Sequence, residues 1–285
     1  MEYDLTDLRV IKSVLSRHGF AFAKRLGQNF LVNPSVCPRM AELAEIDGAD
    51  VLEIGPGVGV LTVQLARRAS RVLAVELDAK LLPVLEETLA PYNNIKVIHG
   101  DILKLDLQRL ICEQLGGESK RLCVCANLPY YITSPILMGL LESRLPFESI
   151  TVLVQKEAAQ RICAPMGSRE CGAITAAVRY YARPRLMFTV SPGSFYPPPK
   201  VESAVLRLEL LKEPPVAISS EKAFFAVVKA AFAQRRKTLP NALSSGLGIT
   251  KERAAAALGQ AQVPLNARAE QLLLQDFAAI SAALG

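Results

Sequence analysis

The chain has 285 residues, of which 51% are hydrophobic and 21% charged, an ordinary globular composition that excludes a disordered, collagen-like or coiled-coil protein. Its 33 Lys+Arg against 27 Asp+Glu leave a net charge of +6, a surplus that favours an anionic partner, nucleic acid being the commonest. Six cysteines in no CxxC or disulfide-like spacing, and two histidines remote from cysteine or carboxylate partners at ligand spacing, argue against a disulfide framework and against a metal site.

Along the chain, Leu5, Leu8, Ile11, Val14 and Leu15 fall at helical spacing over residues 5–18, and Gly19 follows as a stop. Glu2, Asp4, Asp7, Arg9 and Lys12 interrupt the apolar residues of Met1 to Phe20, a stretch that therefore lacks the regions of a signal peptide. No charge-free apolar run approaches the ~20 residues of a membrane span, so a soluble, cytoplasmic protein is expected. A second helix fits 34–46. Between the two, Lys24 to Leu31 follows neither the helical nor the strand period.

From residue 51 onward, apolar runs of strand length alternate with amphipathic helical stretches, the signature of βαβ units and a parallel sheet. The strands are expected at 51–54, 72–76, 95–99, 122–126, 150–154, 186–190 and 203–210, with helices at about 60–69, 79–89, 134–143, 156–163 and 171–181. After residue 210 the strands cease. Pro214-Pro215 reads as a linker, and helices are expected at 221–233, 251–258 and 268–284. The expected fold is α/β, a Rossmann-like seven-stranded, mostly parallel sheet in a domain over 1–210 with an N-terminal helical segment over 1–50. An all-helical domain over 211–285 completes it. Residues 206–285 carry 10 Lys+Arg against 6 Asp+Glu, and Arg235-Arg236-Lys237 is their densest basic point.

Glu53-Ile54-Gly55-Pro56-Gly57-Val58-Gly59 lies between an expected strand and an expected helix, where a ligand can approach main chain at a switch point of the sheet. A dinucleotide fold uses GxGxxG; here the third glycine comes one residue early, which argues for a cofactor without a pyrophosphate. The pattern resembles the first motif of S-adenosylmethionine-dependent methyltransferases. Glu76 ends the second expected strand, where an acid can accept both ribose hydroxyls. Asp101 follows the third and can accept from an adenine amine, with the Ile102 N–H donating to a ring nitrogen.

Asn127-Leu128-Pro129-Tyr130 ends the fourth expected strand. The exocyclic amine of a nucleobase is a poor nucleophile because its lone pair is delocalised into the ring. The Asn127 side-chain oxygen and the Leu128 or Pro129 carbonyl can hold its two N–H groups so that the lone pair turns toward a methyl donor. Pro129 fixes the chain, and Tyr130 offers a face for the base.

Together with Gly27-Gln28-Asn29-Phe30-Leu31, Gly100-Asp101 and Phe195-Tyr196-Pro197-Pro198-Pro199-Lys200-Val201-Glu202-Ser203, these motifs resemble the ribosomal RNA adenine dimethyltransferases, most closely those acting on the small subunit. The resemblance covers nearly the whole chain. It implies S-adenosyl-L-methionine as cofactor and dimethylation of two adjacent adenosines near the 3′ end of small-subunit rRNA within an assembling 30S particle. It further implies that Gln28, Asn29 and Leu31 lie over the methionine part, Gly55 and Gly57 against its carboxylate and amine region, and Glu76 at the ribose. Asp101 with Ile102 would hold the adenine, and Asn127 would stand between cofactor and target. Phe195, stiffened by the prolines after it, would sandwich the flipped base against Tyr130. Lys24, Arg25, Arg235, Arg236 and Lys237 would meet RNA phosphates. A monomer without metal or membrane attachment is expected. Two other readings stay open: a resistance-type methyltransferase acting on large-subunit adenosine, and a non-catalytic RNA-binding or transcription-accessory relative.

Overall fold

The computed structural model describes residues 2–21, 27–116 and 121–285, and the chain falls into two compact units. One comprises Met1–Ala159 and Arg185–Leu210, the other Gln160–Pro184 and Leu211–Gly285.

In the first unit, α1 (Leu8–Arg17) begins where the Asp7 side chain accepts from the Arg9 N–H, and it buries Ile11, Val14 and Leu15, the stripe read from the sequence. β1 (Phe30–Leu31) pairs antiparallel with β8 (Phe195–Tyr196), Leu31 standing opposite Phe195. This small ladder pins the otherwise irregular N-terminal segment, and α2 (Val36–Leu43) follows it.

All seven expected strands are present: β2 (Asp50–Ile54), β3 (Arg71–Glu76), β4 (Ile95–His99), β5 (Leu122–Asn127), β6 (Phe147–Gln155), β7 (Ala182–Val190) and β9 (Ser203–Leu210). Their spatial order is β4-β3-β2-β5-β6-β9-β7. β2 runs parallel to β3 and β5, β3 to β4, and β5 to β6, whereas β9 is antiparallel to β6. Successive side chains of a strand point to opposite faces, so the unbroken burial of β2 means that both its faces are covered, the reason Val51, Leu52 and Ile54 on both faces are apolar. The order reverses at β2: the chain proceeds outward through β3 and β4, then restarts on the other side at β5. The carboxyl ends of β2 and β5 flank that switch point, where open α/β sheets bind ligands.

The connecting helices are α3 (Val60–Ala66), α4 (Leu82–Leu89), α5 (Leu107–Leu115) and α6 (Thr133–Glu142). After them, α7 (Lys156–Cys163) follows β6. Of these, α5 is absent from the sequence expectations, although Asp106 caps its start by accepting from the Arg109 N–H and Gly116 ends it in a left-handed conformation.

The second unit packs α8 (Ala173–Tyr181) against α9 (Glu221–Ala233). Tyr180, Tyr181, Phe224 and Phe225 stand with ring centroids 5.0 to 5.5 Å apart, and both tyrosine hydroxyls donate to the Glu221 carboxylate. That cluster is why residues 160–184 group with the C-terminal helices. α10 (Leu239–Leu247), α11 (Lys251–Gln260) and α12 (Leu274–Leu284) complete the unit. α10 is also absent from the expectations, since Pro240, Asn241, Ser244, Ser245 and Gly246 give it little helix propensity. Packing overrides propensity here: a Cβ on Gly246 would lie 2.5 Å from the Ala230 Cβ, so the glycine lets α10 approach α9 closely. The second unit carries 13 Lys+Arg against 6 Asp+Glu, a balance of +7, and the first is left at −1. Among the described residues no helix is long and apolar enough to cross a membrane.

Candidate active site

A cavity of about 120 Å³, open to solvent, lies at the switch point of the first unit. Its floor is the turn after β2. Gly55, Gly57 and Gly59 have φ of 70°, 64° and 94°, a left-handed run that only glycine adopts without strain. A Cβ on Gly55 would meet nothing within 4 Å, so the main chain there is bare to the cavity, whereas one on Gly57 would stand 3.2 Å from the Phe30 ring.

Gln28, Asn29 and Leu31 line the same cavity from above, the Gln28 amide donating to Asp78 Oδ2 at 2.9 Å and Asn29 Nδ2 to the Gly27 carbonyl at 2.9 Å. Glu76, at the end of β3, is buried. One of its carboxylate oxygens accepts from the Gly57 N–H at 3.2 Å and the other from the Asp78 N–H at 2.8 Å. These bonds fix both oxygens in place and leave each with further lone-pair capacity. Burial pushes the Glu76 carboxyl above the ordinary carboxylate range, opposed by the main-chain N–H bonds of Asp78 and Gly57. Asp101 and Ile102 line the cavity beyond β4, with Asp101 Oδ1 accepting from the Leu103 N–H at 3.1 Å and Lys104 Nζ 3.5 Å from Oδ2.

Asn127, Leu128, Pro129 and Tyr130 line the cavity at the end of β5. Asn127 Nδ2 donates to the Asn29 carbonyl at 3.4 Å, which orients the amide and leaves Oδ1 without a protein donor among the described residues. The two carbonyls that follow differ. The Pro129 oxygen accepts from the Ile132 N–H and the Thr133 hydroxyl, both at 3.2 Å, so it is engaged by the turn that opens α6. The Leu128 N–H is tied to the Leu153 carbonyl at 3.0 Å, which holds the peptide in register with β6, and the Leu128 oxygen has no such partner among the described residues. Asn127 Oδ1 and the Leu128 oxygen are therefore the acceptor pair the geometry offers.

Tyr130 lines the cavity half-buried, its hydroxyl bonded to Ser203 Oγ. Phe195, whose stacking role is what the resemblance implies, is 3% exposed, packs in the apolar core with Leu31 and Phe30, and stands behind the residues that line the cavity. Lys24 and Arg25 lie outside the described residues. Arg235 is exposed, and its Nη2 donates to the Arg169 and Cys171 carbonyls at 2.6 and 3.2 Å, lacing two loops of the second unit together. Arg236 and Lys237 beside it are exposed. Among the described residues no cluster of three or more His, Cys, Asp or Glu stands ready to hold a metal ion.

Three cavity residues go beyond the sequence expectations. Glu53 lines the floor, 1% exposed, with Oε2 buried and unpartnered among the described residues. Burial pushes its carboxyl up to about 8, opposed by the nearby Thr62 hydroxyl and aided by the charge of Glu76, so it is largely protonated at neutral pH. A glutamate inside the apolar run Val51-Leu52-Glu53-Ile54 is the signal that marks it. Leu77 and Tyr131 form part of the rim and are 42% and 56% exposed.

A family model described as ribosomal RNA adenine dimethylase matches residues 19–284. The ribosomal RNA small subunit methyltransferase A of Geobacillus sp. (strain WCH70) is 44% identical over 288 residues, covering 100% of this chain and 99% of its own. Among solved structures, the 23S rRNA methyltransferase ErmE superposes with a TM-score of 0.65 at 28% identity, over 90% of this chain and 99% of its own. A dimethyladenosine transferase from Plasmodium falciparum shares the fold, with a TM-score of 0.72 at 24% identity over 88% and 95% of the two chains. The glycine turn, the carboxylates ending successive strands and the Asn-Leu-Pro-Tyr corner converge on one cavity, and with a family match over almost the full length the chain belongs to the ribosomal RNA adenine dimethylases.

Proposed function

We propose that this enzyme uses S-adenosyl-L-methionine to convert two adjacent adenosines near the 3′ end of small-subunit rRNA to N6,N6-dimethyladenosine during subunit assembly. The observation that carries the reading is the acceptor pair, Asn127 Oδ1 and the Leu128 oxygen, at the edge of a cavity whose opposite end holds Glu76 and Asp101. Full-length identity of 44% to a small-subunit methyltransferase, against 28% to a large-subunit one, supports the small subunit as target.

The residues present fit the cofactor. Bare main chain at Gly55 suits its amino-acid end, the fixed oxygens of Glu76 suit a ribose diol, and Asp101 with the Ile102 N–H suits an adenine edge. When bound there, S-adenosylmethionine supplies an electrophilic methyl group. The protein's part is to make a weak nucleophile point at it. In the first transfer Asn127 Oδ1 and the Leu128 oxygen accept from the two N–H groups of the adenine amine, which favours a tetrahedral nitrogen with its lone pair directed away from the ring plane. In the second, one of them accepts from the single N–H left, and each N–CH3 bond formed releases one N–H proton to solvent. The Leu128 peptide is held by Leu153, and the Asn127 amide is oriented by a longer bond to Asn29, which limits the reorganisation needed in the reaction. Tyr130, anchored by Ser203, offers its ring to the target base. The second unit, with its balance of +7, supplies phosphate contacts that position the RNA without reading its sequence.

The test is mass spectrometry of digested rRNA after unmethylated small subunits are incubated with the protein and labelled S-adenosylmethionine. Two adjacent dimethyladenosines near the 3′ end are expected. Label confined to large-subunit RNA, or none on either, overturns the reading.

A further inference from the structure

We infer that Tyr131 is the stacking platform for the nucleotide next to the target adenosine, a role that rests on the proposed reaction with RNA. Three aromatic residues face the cavity besides Tyr131 or stand just behind it, and each is already committed. Phe30 and Phe195 are buried at 6% and 3%, in the ladder of β1 with β8. Tyr130 is half-buried and its hydroxyl is engaged by Ser203. Tyr131 lines the same cavity yet is 56% exposed, an aromatic ring left in water at the rim of a site for a nucleobase.

Ring carbons Cδ1 and Cε1 lie 3.5 Å from where a Gly27 Cβ would stand, so a side chain there would touch one edge of the ring, and more than half of Tyr131 is exposed. Its position in the chain fixes its neighbourhood too: it follows Tyr130 directly, in the short 3-10 turn Tyr130–Ile132 that links the acceptor corner to α6. With the target base drawn inward to Asn127, the strand entering or leaving the cavity must cross its rim, and the adjacent base then has an apolar ring within reach. Base–aromatic stacking tolerates any base, because each presents a π-face, and a purine presents the larger one. Adjacent adenosines would let each target in turn be stabilised by the other on Tyr131.

The test uses the full-length enzyme with a short RNA hairpin carrying the two adjacent adenosines, one of them replaced by fluorescent 2-aminopurine as the flanking base. Binding should quench the 2-aminopurine with the unaltered enzyme and with Tyr131→Phe, and not with Tyr131→Ala. On the unlabelled hairpin, Tyr131→Ala should raise the KM for RNA about tenfold, the loss of one base–aromatic stack, with the effect in KM rather than kcat. The Kd for S-adenosylmethionine should not move. Quenching that persists in Tyr131→Ala, or an unchanged KM, overturns the inference while leaving the reaction standing. A rise in cofactor Kd instead of RNA KM would assign Tyr131 to holding Gly27 over the cofactor and also overturn it. If the unaltered enzyme methylates neither hairpin nor small subunits, the proposed reaction itself fails and the inference with it.

Discussion

Two carboxylates one strand apart show how environment separates the roles of like residues. Glu76 and Glu53 are both buried, but Glu76 accepts two main-chain N–H bonds while Glu53 Oε2 has no partner among the described residues. For Glu53, pushed up to about 8 by burial and by Glu76, the folded state keeps a proton that the unfolded state gives up near pH 4.5. The folded chain then binds more protons across that window, so its contribution to stability is full below pH 4.5 and is lost as pH rises toward 8. Glu53→Gln keeps the shape without titrating and should flatten the decline, which thermal unfolding at pH 5 and pH 8 of variant and parent would reveal; equal slopes would remove Glu53 as the cause. Asn127 and Glu76 should separate kinetically. Asn127→Ala removes an acceptor aimed at the substrate amine and one long bond to Asn29, so turnover should fall by orders of magnitude with cofactor affinity nearly unchanged. Glu76→Ala should act mainly on cofactor affinity. Calorimetric titration of cofactor beside single-turnover methylation distinguishes the two, and equal losses in both properties for Asn127→Ala would make that residue structural.

At the scale of elements, the turn after β2 and the ladder of β1 with β8 hold the cavity's floor and cover. Gly59→Ala would place a Cβ 2.9 Å from Leu89 Cδ2 at a φ of 94°, and should destabilise the fold by about 1–3 kcal/mol. Phe195→Ala empties a core position and should cost about 3–5 kcal/mol, with cofactor affinity falling as β1 loosens. Denaturant titration of each variant measures the loss of stability; a full-strength fold with only RNA KM raised would return Phe195 to the stacking role. These elements also mark what a sequence makes legible. Strands buried on both faces announce themselves, since the interiors of β2 and β5 are mainly apolar with Glu53 as the exception that marks a site, and the acids that end β3 and follow β4 sit at the ligand edge by topology alone. The pairing of Leu31 with Phe195 could not be read, because it joins segments 164 residues apart that each contribute only two residues of strand. α10 was hidden for a related reason: its helicity comes from Gly246 meeting Ala230, a packing of helix on helix that local propensity does not encode. The choice of the Leu128 over the Pro129 carbonyl likewise depends on hydrogen bonds from Ile132 and Thr133, which spacing does not specify.

For the whole molecule, charge is distributed by unit rather than by surface patch. The chain's positive balance resides entirely in the second unit, at +7 against −1 for the first, so association with RNA should be carried by the unit without the catalytic corner. Within it, adjacent basic residues have different duties. Arg235, Arg236 and Lys237 are all exposed, but Arg235 is tied to main chain by its side chain, Nη2 donating to the Arg169 and Cys171 carbonyls. Replacing Arg236 and Lys237 with alanine should weaken RNA binding roughly equally across sequences and leave the melting temperature in place. It should also lower the slope of log affinity against log salt by about one unit for each phosphate no longer neutralised. Arg235→Ala should do the reverse, lowering the melting temperature as the loop at Arg169 comes loose while changing the salt slope little. Filter binding at several salt concentrations, paired with calorimetry of the same two variants, separates a residue that meets phosphate from one that holds the surface in shape. An unchanged salt slope in the Arg236 and Lys237 double variant would move the RNA contact elsewhere on the unit.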